Sequence, residues 1–233
     1  MELHSNRIRY LRLRLVPWFR VHGRSYPWRL TKDPWRVLIA EMMLQRTRAD
    51  QVERVYTLLF QRYKTPLDVA GAPMSRLKSI LLPLGLAWRI PKFKQVASAI
   101  VNSYRGRVPS TRDEIKQLPG VGDYVAGAVL SIGYGKREWI VDSNVVRVYQ
   151  RFLGLKTSKE GRRDRSVIEF ARHYVRYGDP RRANLGLLDF AALVCKPAHP
   201  HCDICPVRKK CIYHLKTRSS SARGNSPIVP SMI

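Results

Sequence analysis

Acidic residues are scarce in this chain: 17 Asp and Glu stand against 43 Lys and Arg over 233 residues, a net charge of +26. That deficit excludes a self-neutralising surface and points to a polyanionic partner, most simply nucleic acid. The bland alternative is a solvated cationic surface of the ribosomal or heat-adapted kind. Long apolar runs are missing too. No stretch approaches the ~18 residues of a membrane span, and the opening MELHSNRIRYLRLRLVPWF is charged throughout where a signal peptide would be apolar. The expected location is therefore cytoplasmic, nucleoid-associated in a prokaryote, with no membrane partner. Cysteine is limited to four residues, all between positions 195 and 211. A chain this long can bury a core without covalent staples, and the cytosol is reducing, so disulfides are not expected. Asn and Gln are few, a weak sign of heat adaptation. There is no internal repeat, and the polar tail KTRSSSARGNSPIVPSMI is expected to stay unpacked from residue 216 to 233.

What is present reads as helix after helix. KDPWRVLIAEMMLQRT places Asp33 as N-cap and Pro34 at the first helical position, with Leu38, Met42 and Gln45 at helical spacing. RADQVERVYTLLFQRY carries Val52, Val55, Leu59 and Tyr63 on one face, and WRIPKFKQVASAIVNSYRG repeats the pattern through Phe93, Val96, Ile100 and Tyr104 until Gly106. Thr111 and Glu114 have capping-box spacing. Further helices are expected over 123–134, 143–153, 164–177 and 181–194, separated by Gly135, Gly154, Gly178 and Pro180. The fold class is all-α.

Three motifs carry chemistry. In QLPGVGDYVAGAVL a turn from Leu118 to Gly122, including Gly120 and Val121, separates two short helices. Its glycines can take positive φ and leave backbone amides open beside a helix N-terminus, a place for a phosphate. LPGVG resembles the helix-hairpin-helix signature, which grips a DNA backbone and positions it without reading bases. In WIVDSNVVRVYQRFLG a strand-like apolar run delivers Asp142 to the mouth of a helix. Asp142 can be a plain N-cap, and it can also be a carboxylate that stabilises an oxocarbenium-like sugar; the two readings are compatible. CKPAHPHCDICPVRKKC spaces its cysteines as C-x6-C-x2-C-x5-C. Thiolates suit an iron–sulfur cluster or zinc, and spacing alone does not separate them, although zinc sites more often use two C-x2-C pairs.

Taken together and in this order, LPGVGDYVAGAVL, VDSNVVRVYQR and LGLLDFAALVC leading into the cysteine loop resemble the endonuclease III superfamily of DNA glycosylases over about residues 26–213. The resemblance implies two helical domains flanking a DNA groove: a six-helix barrel with the hairpin over 27–136, and a second domain from 1–26 plus 137–215. It implies a [4Fe-4S] cluster on Cys195, Cys202, Cys205 and Cys211, clamping a loop whose Lys196, Arg208, Lys209 and Lys210 face phosphates. Asp142 would be catalytic. Tyr124 stands where strand-cutting members carry a lysine, so no Schiff base can form there and the implied activity is monofunctional, leaving an abasic site; a packing aromatic is the bland reading. Glu41 matches a glutamate that acts on the flipped base, against an ordinary exposed helix glutamate. Gln45 matches a wedge that enters the base stack, and Arg46 would read the orphan guanine; both could be solvent-facing polar residues. Arg46, where adenine glycosylases of the MutY type usually show a second glutamine, favours the archaeal Mig-type enzymes acting on thymine or uracil opposite guanine. The shortness of the chain beyond Cys211 points the same way. The alternatives are an adenine glycosylase acting opposite guanine or 8-oxoguanine, and a non-catalytic DNA-binding iron–sulfur protein. The implied partner is double-stranded DNA with a mismatched or damaged base, bound by a monomer.

Overall fold

The structure is a computed structural model that describes residues 2–85 and 87–221. In chain order the helices are α1 (Glu2–His22), α2 (Pro27–Leu30), α3 (Pro34–Leu44), α4 (Ala49–Arg62), α5 (Pro66–Gly71), α6 (Met74–Leu81), α7 (Ile90–Tyr104), α8 (Arg112–Gln117), α9 (Asp123–Ala128), α10 (Ser143–Leu153), α11 (Arg165–Val175), α12 (Pro180–Leu193) and α13 (Ile212–Ser221). Among the described residues there is no strand, so the protein is all-α. The chain divides into two units, one of Ser25–Ile140 and the other of Met1–Arg24 with Val141–Ile233.

The first unit is organised around α3. Asp33 accepts a hydrogen bond from the Trp35 amide at 2.9 Å and Pro34 opens the helix, so the start is fixed locally. Trp35 and every residue from Val37 to Met43 are buried. A helix apolar on all sides belongs in the middle of a bundle, which is why no single stripe through Leu38 and Met42 describes it. It stops at Leu44, one residue short of Gln45. α4 buries Val52, Val55 and Leu59 as the spacing predicts, and α7 buries Phe93, Val96 and Ile100. α7 closes with two left-handed residues, Arg105 (φ 53°) and Gly106 (φ 75°), and the Gly106 amide returns to the Ile100 carbonyl at 3.0 Å. α5 and α6 have no counterpart in the sequence reading. α5 is set by a capping box in which Asp68 accepts from the Thr65 amide at 2.9 Å and its own amide donates to the Thr65 hydroxyl at 3.2 Å.

α9 does not continue as α-helix to residue 134; it widens into a π-helical turn over Val129–Gly133, with the Tyr134 amide donating to the Val129 carbonyl at 3.1 Å. The unit extends to Ile140 because Trp139 and Ile140 are buried. Arg112 holds them there, donating to the Trp139 carbonyl at 3.0 Å and to Glu138 at 2.6 Å, with its guanidinium 3.9 Å from the centre of the Trp139 ring. The run 139–141 is buried and, among the described residues, pairs with no strand. Gly127 is required here: a Cβ at that position would lie 2.1 Å from the Trp139 carbonyl oxygen. Gly127→Ala is therefore expected to cost about 3 kcal/mol or more, seen in a thermal melt as a fall of roughly 6–12 °C.

In the second unit α1 buries Ile8, Leu11 and Leu15 and packs on α12 and α11. Asp179 caps α12 and Pro180 is its first residue, not a separator before it. Asp189 is fully buried and accepts from the Arg24 amide at 2.8 Å and from its guanidinium at 2.7 and 2.9 Å. Residues 216–221, expected in an unpacked tail, continue α13; the remainder of that expectation, 222–233, lies outside the described residues. Among the described residues no helix is long and apolar enough to cross a membrane.

Candidate functional site

In the Ser25–Ile140 unit, Leu118 and Val121 turn inward, 2% and 9% exposed, and anchor the hairpin between α8 and α9. The Val121 amide closes the turn on the Leu118 carbonyl at 3.1 Å. Gly120 takes φ +78°, which an L side chain disfavours, whereas Gly122 is extended (φ −110°, ψ −176°). Only one of the two glycines thus uses the positive-φ freedom expected of both. Gly122 caps α9 without a side chain, so the amides of the first turn are not covered by a capping group. Asp123 turns to Lys116 at 3.0 Å and Arg112 at 3.7 Å. Tyr124 is the second residue of α9 and half-buried.

The turn after α3 reaches the same hairpin. Gln45 donates to the Gly120 carbonyl at 3.4 Å, and the Lys92 side chain lies 3.0 Å from the point a Gly120 Cβ would occupy. Arg46 is exposed and held in the left-handed region at φ 58°, strained for a residue of its kind. Arg89, only 5% exposed, supports that turn, donating to the carbonyls of Met42 (3.4 Å) and Gln45 and to the Thr47 hydroxyl (2.9 Å). Burial, with the Arg46 charge as a lesser cause, lowers the Arg89 pKa. Sequence reasoning missed Arg89, Lys92 and the exposed Trp88, whose ring centre is 5.1 Å from the Lys92 ammonium. The signal available was an aromatic among basic residues in AWRIPK. Glu41 is only 6% exposed, which excludes the exposed-glutamate reading; a buried carboxylate is a rare feature and a functional candidate.

In the other unit Asp142 is the N-cap of α10, so the structural role holds. One carboxylate oxygen accepts from the Val145 amide at 2.7 Å and the other from the Asn144 side-chain amide at 2.7 Å. The line continues: Arg147 Nη1 donates to Asn144 Oδ1 at 2.8 Å, its Nε to the Cys195 carbonyl at 3.0 Å and its Nη2 to the Ala191 carbonyl at 2.9 Å. Arg151 grips the same loop through the carbonyls of Lys196 and Pro197, both at 2.6 Å, and lies 3.6 Å from Cys195 Sγ. Two arginines on successive turns of α10 thus tie the helix that Asp142 caps to the cysteine loop. Neither was singled out from the sequence.

The four cysteines are free thiols and line one pocket with Phe190 and Val207. Burial pushes the Cys205 thiol up to about 12 and raises Cys202 and Cys211, and the neighbouring cysteines add to each shift. Among the described residues no three His, Cys, Asp or Glu side chains close on one point as a metal-holding group. The donor set nonetheless fits a thiolate-bound metal centre: four soft ligands share one apolar wall, and their charges repel unless a cation lies among them. Of the basic residues on the loop, Arg208 donates to the Asp203 carbonyl, and Lys210 sits 4.6 Å over the Tyr10 ring.

Two short helices, α8 and α9, joined by a glycine-containing turn in an all-helical chain make a helix-hairpin-helix protein. The chain belongs to the HhH-GPD superfamily of base excision DNA repair proteins, whose pattern matches residues 39–185. It is 38% identical over 218 residues to a thymine-DNA glycosylase of Aeropyrum pernix, covering 91% of this chain and 97% of that one. It is 36% identical over 203 residues to a thymine/uracil-DNA glycosylase of Methanothermobacter thermautotrophicus, covering 87% and 92%. Among solved structures, that of a thermostable thymine-DNA glycosylase superposes with a TM-score of 0.86 at 35% identity, covering 91% of this chain and 98% of that one.

Proposed function

We propose that this protein is a DNA glycosylase that hydrolyses the N-glycosidic bond of thymine or uracil opposite guanine and leaves an abasic site. The observation that carries this reading is the similarity, along nearly the full length of both chains, to proteins named for thymine and uracil. Water adds to C1′ of the sugar, the C1′–N1 bond breaks, and the base leaves with the bonding electron pair and gains a proton. The Asp142 carboxylate offsets the positive charge that develops on the sugar. Tyr124 offers no amine, so no imine forms at that position and the strand stays intact. Glu41 takes the base edge; Gln45 fills the gap left by the flipped nucleotide, and Arg46 pairs with the orphan guanine. Leu118 and Val121 shape the hairpin that presents the Gly120 and Gly122 region to phosphates.

Cys195, Cys202, Cys205 and Cys211 would hold a [4Fe-4S] cluster, which when bound supplies a structural clamp for the loop. The partner is double-stranded DNA, and a monomer suffices for one flipped base. Base release from end-labelled duplexes holding U·G, T·G, A·G and A·8-oxoguanine tests the reading. Strand cuts at the pyrimidine opposite guanine that need hot alkali are expected. Cuts only at adenine would replace this reading with an adenine glycosylase, and cuts without alkali would overturn the role given to Tyr124.

A further inference from the structure

An exposed tryptophan stands beside the hairpin in the Ser25–Ile140 unit and has no part in the chemistry above. Trp88 is 60% exposed, whereas Trp28, Trp35 and Trp139 of the same unit are at most 6% exposed. Its neighbour imposes this. Arg89 is buried and fastened to the turn after α3 through the carbonyls of Met42 and Gln45 and the Thr47 hydroxyl, and that hydroxyl in turn donates to the Leu84 carbonyl at 3.0 Å. The anchorage fixes the chain next to Trp88 and leaves the ring in water, an unfavourable place for so much apolar surface.

What the ring does is hold a cation. Lys92 Nζ lies 5.1 Å from the centre of the Trp88 ring, within reach of a cation–π contact. The stem of the same lysine crosses the hairpin: its Cδ is 3.0 Å and its Nζ 3.7 Å from the point a Gly120 Cβ would occupy. The ammonium is thus lodged between an indole face and the positive-φ residue of the turn. Lys92 is half-buried, its ammonium is not enclosed, and among the described residues it makes no hydrogen bond and no ion pair. Its place in the chain is unfavourable as well. Lys92 is the third residue of α7, whose first turn holds no acidic residue, and a positive charge there is repelled by the helix dipole. An anion beside the ammonium turns that repulsion into attraction.

We propose that Trp88 and Lys92 form one contact with the DNA strand that the hairpin grips: Lys92 neutralises a phosphate beside Gly120, while the Trp88 ring holds the ammonium in place and covers the adjoining sugar. The hairpin by itself offers backbone amides, which carry only partial charges. A full charge set against it at Gly120 adds one phosphate contact that releases a counterion. The open surface of the indole suits a deoxyribose better than it suits water. This inference rests on the DNA-binding reading of the hairpin and not on the choice of target base.

The test is binding of a labelled, undamaged duplex to the full-length protein over a series of salt concentrations, followed by fluorescence anisotropy. In Lys92→Met the plot of log affinity against log salt should flatten by about 0.9, with affinity at low salt falling roughly three- to ten-fold on any sequence. Lys92→Arg should restore the wild-type slope. Trp88→Leu keeps the charge and should keep the slope, while affinity falls roughly two- to five-fold as the lysine is released. Intrinsic fluorescence gives a second reading that needs no change at Lys92. The duplex should shield wild-type tryptophan from acrylamide, and the shielded fraction should be missing in Trp88→Leu. The proposal is overturned if Lys92→Met keeps the wild-type slope, or if the duplex leaves Trp88 as open to acrylamide as it is in the free protein. Base release by the same preparations keeps this apart from the glycosylase reading. A flattened Lys92→Met slope in a protein that releases no base would sink that reading alone, whereas normal base release with an unchanged slope would sink this inference alone.

Discussion

Asp142→Asn is expected to cut base release by about 10²–10³-fold, the usual loss when one electrostatic stabiliser of a transition state is removed. The choice of asparagine matters because Asp142 has two jobs that the structure separates. As an N-cap it receives the Val145 amide at 2.7 Å, and an asparagine oxygen does that as well as a carboxylate. α10 should therefore start at the same residue and the melting temperature should move little. The charge is what disappears. One local bond is lost with it, since the new amide nitrogen meets the Asn144 amide where a carboxylate oxygen now accepts at 2.7 Å. Single-turnover rates and gel-shift affinities on the same duplexes read the two jobs apart. Unchanged affinity with a collapsed rate is the expected result. Equal, measurable rates in wild type and variant would remove Asp142 from the chemistry, and equal inertness of the two on every duplex would favour a non-catalytic DNA-binding protein.

The second large effect falls on Arg147. Its guanidinium meets three acceptors, the Asn144 side chain at 2.8 Å and the carbonyls of Ala191 and Cys195 at 2.9 and 3.0 Å. Arg147→Met keeps the length and packing of the side chain and deletes every donor. Two partly buried carbonyls lose their partner, at about 1–3 kcal/mol each, so a destabilisation of about 2–6 kcal/mol is expected. Lysine should restore only part of this, because one ammonium cannot serve three acceptors spread over a planar fork. The consequence reaches past stability. Cys195 is tied to Arg147 through its carbonyl, so the variant should also hold less iron per chain as purified, and it frees Asn144, which steadies the Asp142 carboxylate. Melting temperature, iron per chain and base release should all fall. A variant with wild-type iron content and melting temperature would show that the loop is held by Arg151 and packing alone. A colourless wild-type protein carrying stoichiometric zinc would exclude the iron–sulfur cluster.

How much of this was legible in the sequence depended on how local each cause is. The start of α3 was readable because Asp33 and Pro34 act on the next two residues. The span of α10, Ser143–Leu153, was readable because a cap and a glycine bracket it. The hairpin was visible for the same reason. α5 and α6 were not, being short helices between prolines with too few turns for periodicity to register. The burial of Glu41 was legible in its apolar neighbours Leu38, Met42 and Met43, and the side chain is indeed only 6% exposed. Arg89 was hidden because three of its four acceptors lie 42–47 positions away in sequence. The Asp142–Asn144–Arg147 line lay within six residues, yet the pattern D-x-N-x-x-R became meaningful only when the end of α12 and the loop after it placed the Ala191 and Cys195 carbonyls opposite it.

One unit is assembled from both ends of the chain, and this orders events at the ribosome. The Ser25–Ile140 unit is complete once its own residues have emerged, and it can fold while synthesis continues. α1 is made before that unit and has no lasting partner within it. Its apolar row of Ile8, Leu11 and Leu15 stays unmatched until α11 and α12 leave the exit tunnel. Nascent chains stalled before residue 180 should therefore carry a folded insert and an exposed, sticky leading helix, the species that a chaperone or a neighbouring polysome would meet.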